Sequence, residues 1–276
     1  MALNWPTFFK RLGSAIVFAA IMMTGLLWKD WTFTILMAVI MTLCIREFFR
    51  LGSAISGTEG GLLIERSTQV TAIILLGMML GYQLGLFDIQ LVRILPALLL
   101  VPVTLFMMAL LSPKSQWQQG LMAFGSILYI VLPCFLLILF RHIDWILPLA
   151  LILMIWMNDT MAYLVGSFIG KTPFSKISPK KTWEGTVGGA LFTVALAAVW
   201  GYYSHKFSIV DWMMLAICAS VAGTAGDLLE SKLKRMAGVK DSGTMMPGHG
   251  GALDRFDSLL VATPFAFCYA YLFMQP

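Results

Sequence analysis

The sequence predicts an all-α polytopic integral membrane protein, and two properties predict it before any motif is considered. The first is composition: 59% of the 276 residues are hydrophobic and only 12% are charged, giving a mean hydropathy of +0.84. Such a chain has too little polar side chain to cover a water-soluble core. The second is the length of its apolar runs, several of which reach the roughly 17–25 residues a spanning helix needs. Backbone polar groups in hydrocarbon must pair within their own segment, so each run is read as a helix.

Cutting the runs at charges, Pro-Gly clusters and polar strings gives about nine spans, near 12–28, 31–45, 68–87, 91–111, 121–140, 145–168, 185–203, 209–228 and 257–274. Lys10-Arg11 ahead of the first run resembles the start of a signal peptide. No small-residue cleavage site follows before Trp28-Lys29-Asp30-Trp31, so an uncleaved first span is expected. The second run is short and follows across Lys29-Asp30 alone, which suits a tight helical hairpin or a kinked, partly re-entrant element. Trp28, Trp31, Trp117, Trp145, Trp183, Trp200 and Trp212 fall near predicted helix ends, where interfacial anchoring accounts for them. Cys44, Cys134, Cys218 and Cys268 stand singly in apolar stretches and read as small core residues.

Cations set the orientation. Lys10, Arg11, Arg46, Arg50, Arg66, Lys114, Lys171, Lys176, Lys180, Lys181, Lys232, Lys234, Arg235, Lys240 and Arg255 fall on one side of the nine spans, against Lys29, Arg93, Arg141 and Lys206 on the other. The rich side is cytoplasmic by the positive-inside rule. The N-terminus is then inside, the C-terminus outside, and two polar loops, 169–184 and 229–256, face the cytosol. Residues 1–140 are nearly all apolar and read as a scaffold of about five helices. Residues 141–276, with about four helices and both loops, carry the ionisable and Gly-rich segments and read as the working part.

Asn158-Asp159 interrupts an apolar span, where a carboxylate costs several kcal/mol unless it meets protein, water or a cation. It either pairs with a neighbouring helix or lines a polar cavity that Tyr163 and Gly166 continue on the same face. The loop that follows holds Lys171, Lys176, Ser178, Lys180, Lys181, Thr182 and Gly185. Topology alone asks for positive charge there, but hydroxyls, amides and ammonium groups together also make an anion cradle at the start of the next helix.

The densest polar run lies in the last quarter. Asp227, Ser231 and Lys234 share a helical stripe, and Asp254 and Asp257 share a face at the start of the final span. Two acids from separate helices are what Mg²⁺ asks for, since it takes one or two carboxylates and fills the rest of its shell with water and phosphate oxygens. Pro247-Gly248-His249-Gly250-Gly251 is a turn of little bulk whose amides can approach phosphate, and His249 suits positioning better than metal ligation. Lys234, Arg235, Lys240 and Arg255 supply counter-charge. A basic patch attracting anionic lipid explains these cations but not the carboxylates among them.

The string Ser231-x-x-Lys234-Arg235-x₄-Lys240-Asp241-x₅-Pro247-Gly248-His249-Gly250-Gly251-x-x-Asp254-Arg255-x-Asp257 resembles the signature of the phosphatidate cytidylyltransferases, or CDP-diglyceride synthetases. Asn158-Asp159 and Ser178-Pro179-Lys180-Lys181-Thr182-Trp183-Glu184-Gly185 are similar to that family as well. The likeness is specific over about 155–260 and rests on hydropathy alone before that. It implies a membrane enzyme that joins CTP to phosphatidic acid, giving CDP-diacylglycerol and pyrophosphate. It further implies Mg²⁺, a second, monovalent cation such as K⁺, a homodimer in the cytoplasmic membrane, and no nucleic acid as partner.

On that reading Asp227 and Asp254 hold Mg²⁺ with Asp257 beside them, and Asp227, Asp254, Lys234 and Arg235 form the catalytic set. Ser231, Lys240, Gly248, His249, Gly250, Gly251 and Arg255 meet the nucleotide. Ser178, Lys180 and Lys181 meet the lipid phosphate or pyrophosphate, and Asp159 lines the lipid-side cavity. No side-chain nucleophile is expected, because the lipid phosphate is itself the attacking group. Another lipid phosphate, isoprenoid or archaeal ether lipid, fits the same residues. A transporter would instead place its charges on broken helices at the bilayer midplane.

Overall fold

The computed structural model describes residues 5–57, 62–86, 114–245 and 250–274, with 104, 107 and 111. Among them every regular element is helical: α1 (Trp5–Leu27), α2 (Asp30–Ser56), α3 (Leu62–Gln83), α4 (Lys114–Ser126), a π-helical turn (Ile127–Val131), α5 (Leu132–Ile143), α6 (Ile146–Ile169), α7 (Trp183–Ser204), α8 (Ile209–Met236) and α9 (Leu253–Phe273). Among the described residues six stretches are long and apolar enough to cross a membrane: Asp30–Ser56, Trp117–Ile143, Ile146–Ile169, Trp183–Ser204, Ile209–Met236 and Leu253–Phe273. The chain is thus a polytopic membrane protein. In α1 the apolar part is the shorter Gly13–Leu27, and α3 opens on the polar run Glu65-Arg66-Ser67-Thr68-Gln69. Most of the span expected at 91–111 lies outside the described residues.

Two expected boundaries are corrected. The second span is not a short or re-entrant element but a continuous helix of 27 residues. The Lys29 amide donates to Thr32 Oγ1 at its start, and Gly57 closes it in the left-handed conformation, φ 64°. Its apolar face, Phe33, Met37, Met41, Cys44, Ile45 and Phe49, recurs every three or four residues and is buried. Arg46, Glu47 and Arg50 therefore extend a helix instead of ending it. Likewise, the polar stretch expected to start at 229 is helical as far as Met236. Good helix formers occupy it, and Glu230 pairs with Lys234 one turn on. Ser231, Lys234 and Arg235 are helical residues.

Local chemistry sets the other ends. Pro133 removes an amide from the α5 backbone, and the ladder widens just ahead of it, with the Leu132 amide donating to the Ile127 carbonyl. Asp144 accepts from the Ile146 amide at 3.1 Å and pairs with Lys206. Thr182 caps α7 through the Gly185 amide, 3.1 Å. Ser208 and Asp211 cap α8 reciprocally, at 3.0 and 3.1 Å.

By packing, the described residues of Met1–Ile138 and Met236–Arg255 form one compact unit, and those of Leu139–Arg235 and Phe256–Pro276 form another. In the second, α7 lies close on α6 through small residues. A methyl at Gly185 would sit 2.6 Å from the Ala162 carbonyl, one at Gly188 2.6 Å from Val165 Cγ1, and one at Gly189 2.8 Å from the Asn158 carbonyl. Removing side chains from this seam is how helices approach without a hydrophobic driving force between them. Gly201 leaves room for Trp212 in the same way. Trp212 is fully buried against Trp200 and Phe207, so it is a core residue and not the interfacial anchor its position suggested. Cys44 and Cys134 are buried as expected, whereas Cys268 is exposed on its helix.

Candidate functional site

In the second unit the basic loop is a closed hairpin. Pro173 and Thr182 form an antiparallel bridge, the Phe174 amide donates to the Lys181 carbonyl at 2.8 Å, and the Trp183 amide to the Thr172 carbonyl at 2.9 Å. Phe174 packs edge-on to Trp183 with centroids 4.6 Å apart. Glu184, in the first turn of α7, accepts from the Thr172 hydroxyl at 2.8 Å and from the Lys171 and Thr172 amides. These bonds fix the base of the hairpin and leave Lys176 and Lys180 exposed, with Ser178 half-buried. Lys181 turns to Asp227 of α8 and pairs with it.

At the end of α8 some of the predicted residues come together. Ser231 Oγ donates to Asp227 Oδ1 at 3.2 Å. Lys234 pairs with Glu230, whose side chain is wholly buried. Small residues on α8 admit α9 closely: a methyl on Gly226 would stand 3.0 Å from Val261 Cβ, and one on Gly223 3.6 Å from Ser258 Cβ. This approach sets buried Asp257 within electrostatic reach of Asp227, Asp159 and Lys234. Asp257 Oδ1 also accepts from the Ser258 amide at 2.6 Å. Three carboxylates from α6, α8 and α9 and two lysines thus share one region. On α6, Asn158 is buried, its Oδ1 without a hydrogen-bond partner, while Asp159 and Tyr163 are exposed.

Asp254 belongs to the first unit and is held by its own loop. Its Oδ2 accepts from the Gly251 amide at 2.7 Å, the Ser242 amide at 2.8 Å and Ser242 Oγ at 3.0 Å. Gly250 takes a positive φ of 85°, which only glycine adopts without strain. Arg255, Lys240 and Arg235 are exposed. Pro247, Gly248 and His249 lie outside the described residues.

Sequence reasoning missed Glu47. From α2 it accepts from Ser242 Oγ at 2.7 Å, from the Leu253 amide at 2.9 Å and from the Ala252 amide at 3.0 Å. No local pattern signals it, since its partners lie about two hundred residues away in the chain. The only hint was a carboxylate flanked by Arg46 and Arg50 at the end of an apolar run.

The donor set suits a hard cation. Among the described residues no three or more of His, Cys, Asp and Glu gather into a group able to hold a metal by themselves. A cage of protein ligands is not what Mg²⁺ requires: one or two carboxylates suffice when phosphate and water complete the shell. Asp227, with Lys181 and Ser231 beside it, is a carboxylate of that kind.

Comparison with known proteins agrees in part of the chain. A protein of Haemophilus influenzae named phosphatidate cytidylyltransferase is 40% identical over 134 residues, 46% of this chain and 46% of that protein. One of Bacillus subtilis with the same name is 43% identical over 121 residues, 43% of this chain and 45% of that one. The chloroplastic phosphatidate cytidylyltransferase 4 of Arabidopsis thaliana is 45% identical over 116 residues, 41% of this chain and 29% of that protein. The matches span about half the length of these relatives or less. The model of the cytidylyltransferase family, by contrast, matches residues 9–273, nearly the whole sequence, and the chain belongs to that family.

Proposed function

We propose that the protein transfers the cytidylyl group of CTP to phosphatidic acid, giving CDP-diacylglycerol and pyrophosphate for phospholipid synthesis. The observation that carries this reading is the gathering of Asp159, Asp227 and Asp257 with Lys181 and Lys234 at the polar end of α8. Interleaved acids and cations suit a reaction between two anionic phosphates, which needs alignment and charge neutralisation more than a nucleophilic side chain. A phosphate oxygen of phosphatidate forms a bond to the α-phosphorus of CTP. The bond from that phosphorus to the bridging oxygen breaks, and pyrophosphate leaves with the electron pair.

Asp227 and Asp254, with Asp257, would hold Mg²⁺, which when bound neutralises phosphate charge. Lys234, Arg235, Lys240 and Arg255 bind the nucleotide phosphates together with Ser231 and the turn Gly248-His249-Gly250-Gly251. Ser178, Lys180 and Lys181 take the lipid phosphate or pyrophosphate, and Asp159 orders the lipid side. The chain crosses the cytoplasmic membrane about nine times, N-terminus inside and C-terminus outside, with this chemistry at the cytosolic face. The distribution of Lys and Arg supports that orientation.

Purified protein with radiolabelled CTP, phosphatidic acid and Mg²⁺ tests the reading. Label should enter a lipid that migrates as CDP-diacylglycerol, and Asp227→Ala and Asp254→Ala should each reduce its formation by about 100-fold or more. Label entering only an isoprenoid or ether-lipid phosphate would move the substrate. Full activity in either variant would remove the assignment of that acid.

A further inference from the structure

We infer that Glu47 is a positioning residue for the proposed cytidylyl transfer, acting through the loop that presents Asp254. The inference rests on the function proposed above for its chemical consequence, but its structural basis is separate. Glu47 and Arg50 stand one turn apart on α2 and grip the same residue from two sides. The Glu47 carboxylate accepts from Ser242 Oγ at 2.7 Å, and Arg50 Nη2 donates to the Ser242 carbonyl. Ser242 is wholly buried between them. Glu47 also accepts from the amides of Ala252 and Leu253, at 3.0 and 2.9 Å, where the chain enters α9.

The donors that Asp254 uses are the neighbours of those that Glu47 and Arg50 hold. Asp254 Oδ2 depends on the Ser242 amide, the Ser242 hydroxyl and the Gly251 amide. Ser242 has one hydroxyl proton for two carboxylates, so the backbone amides fix most of the Asp254 orientation. Glu47 immobilises both segments that supply them, 242 on one side and 252–253 on the other. Glycines make the approach possible: a methyl on Gly243 or on Gly251 would overlap the Glu47 carboxylate itself. Two carboxylates held around one hydroxyl repel each other, an arrangement with little purpose if Glu47 merely filled space. Apolar packing would secure α2 to this loop without that repulsion. Glu47 contributes no atom to the reaction. It sets where the Asp254 carboxylate sits.

Glu47→Gln keeps the shape but turns one acceptor oxygen into a donor, so it cannot serve Ser242 and both amides. The variant should show kcat reduced 10- to 100-fold, KM for CTP within about twofold, and a half-saturating Mg²⁺ concentration raised at least about fivefold. Hydrogen exchange followed by mass spectrometry should show the peptide covering 250–255 exchanging at least about tenfold faster, with α6 and α7 unchanged. Glu47→Asp, which keeps the charge, should recover part of kcat. Should Glu47→Gln fail to fold, Ser242→Ala removes the shared hydroxyl with little change in bulk and should move the Mg²⁺ requirement and the exchange in the same direction. Unchanged exchange over 250–255 in the folded variant overturns the inference, as does a lowered kcat with wild-type Mg²⁺ dependence. Wild-type protein that makes no CDP-diacylglycerol would sink the proposed reaction alone, because the exchange experiment still decides whether Glu47 holds the loop.

Discussion

At the residue scale, the most informative side chain is Lys181. It lies in a loop whose positive charge topology would require anyway, yet it is the lysine that pairs with Asp227. Lys176, in the same hairpin, is exposed. The two separate topological charge from site charge: Lys181→Ala should lower kcat/KM for cytidylyl transfer by about 10- to 100-fold, and Lys176→Ala should change it by less than about twofold. Equal effects in a steady-state assay would mean that the hairpin acts only as a diffuse positive patch. The grouping of Asp227 and Asp257 with Lys181 and Lys234 was legible in the sequence because charge is conspicuous in a chain this apolar. Glu47 was not. One carboxylate beside two arginines at the end of a span looks like an ordinary flank, and only the fold brings Ser242, Ala252 and Leu253 to it.

At the scale of the element, helix existence could be read from hydropathy, but helix ends could not. The charges after 45 and 228 predict ends for α2 and α8, whereas both helices run on through them, to Ser56 and Met236. The reason is physical: a helix leaving hydrocarbon stays helical if its polar residues have good propensity and neighbouring partners, as Glu230 and Lys234 do. Glycine seams were equally invisible, because a lone Gly in an apolar run does not announce what it faces. Gly226 and Gly77 make the distinction measurable. A methyl at Gly226 would collide with the Asp257 carbonyl and stand 3.0 Å from Val261 Cβ, whereas one at Gly77 meets nothing within 4 Å. Gly226→Ala should destabilise the protein by about 1–3 kcal/mol through overpacking and lose activity as α8 and α9 separate at Asp227 and Asp257. Gly77→Ala should be neutral or gain up to about 1 kcal/mol from helix propensity. Thermal unfolding in detergent reads both, and a Gly226→Ala protein as stable and active as its parent would refute the close approach.

At the scale of the whole molecule, orientation connects the fold to the substrates proposed for it. CTP is a cytosolic nucleotide of high charge that does not cross a bilayer, so the residues proposed to bind it must open to the cytosol. The net charge of +5 is not spread evenly along the chain: four of the 19 Lys and Arg residues fall in segments assigned to the far side of the membrane. Because that rule concerns Lys and Arg in short loops and not net charge, the acidic residues beside Lys181, Lys240 and Arg255 do not weaken it. Both α7 and α8 are long and apolar enough to cross a membrane, so the proposed topology has two crossings between the loop after α6 and the loop after α8 and expects both on one side of the bilayer. Single cysteines at Lys176, Lys240 and Lys206, in a background with Cys44, Cys134, Cys218 and Cys268 replaced, test this with a membrane-impermeant maleimide. Lys176→Cys and Lys240→Cys should label in inside-out vesicles and stay protected in right-side-out ones, and Lys206→Cys should do the reverse. Labelling of Lys176→Cys and Lys240→Cys from opposite sides would break the parity of the two crossings and refute the proposed topology. Labelling of both from outside would leave the parity intact but deny the nucleotide its approach.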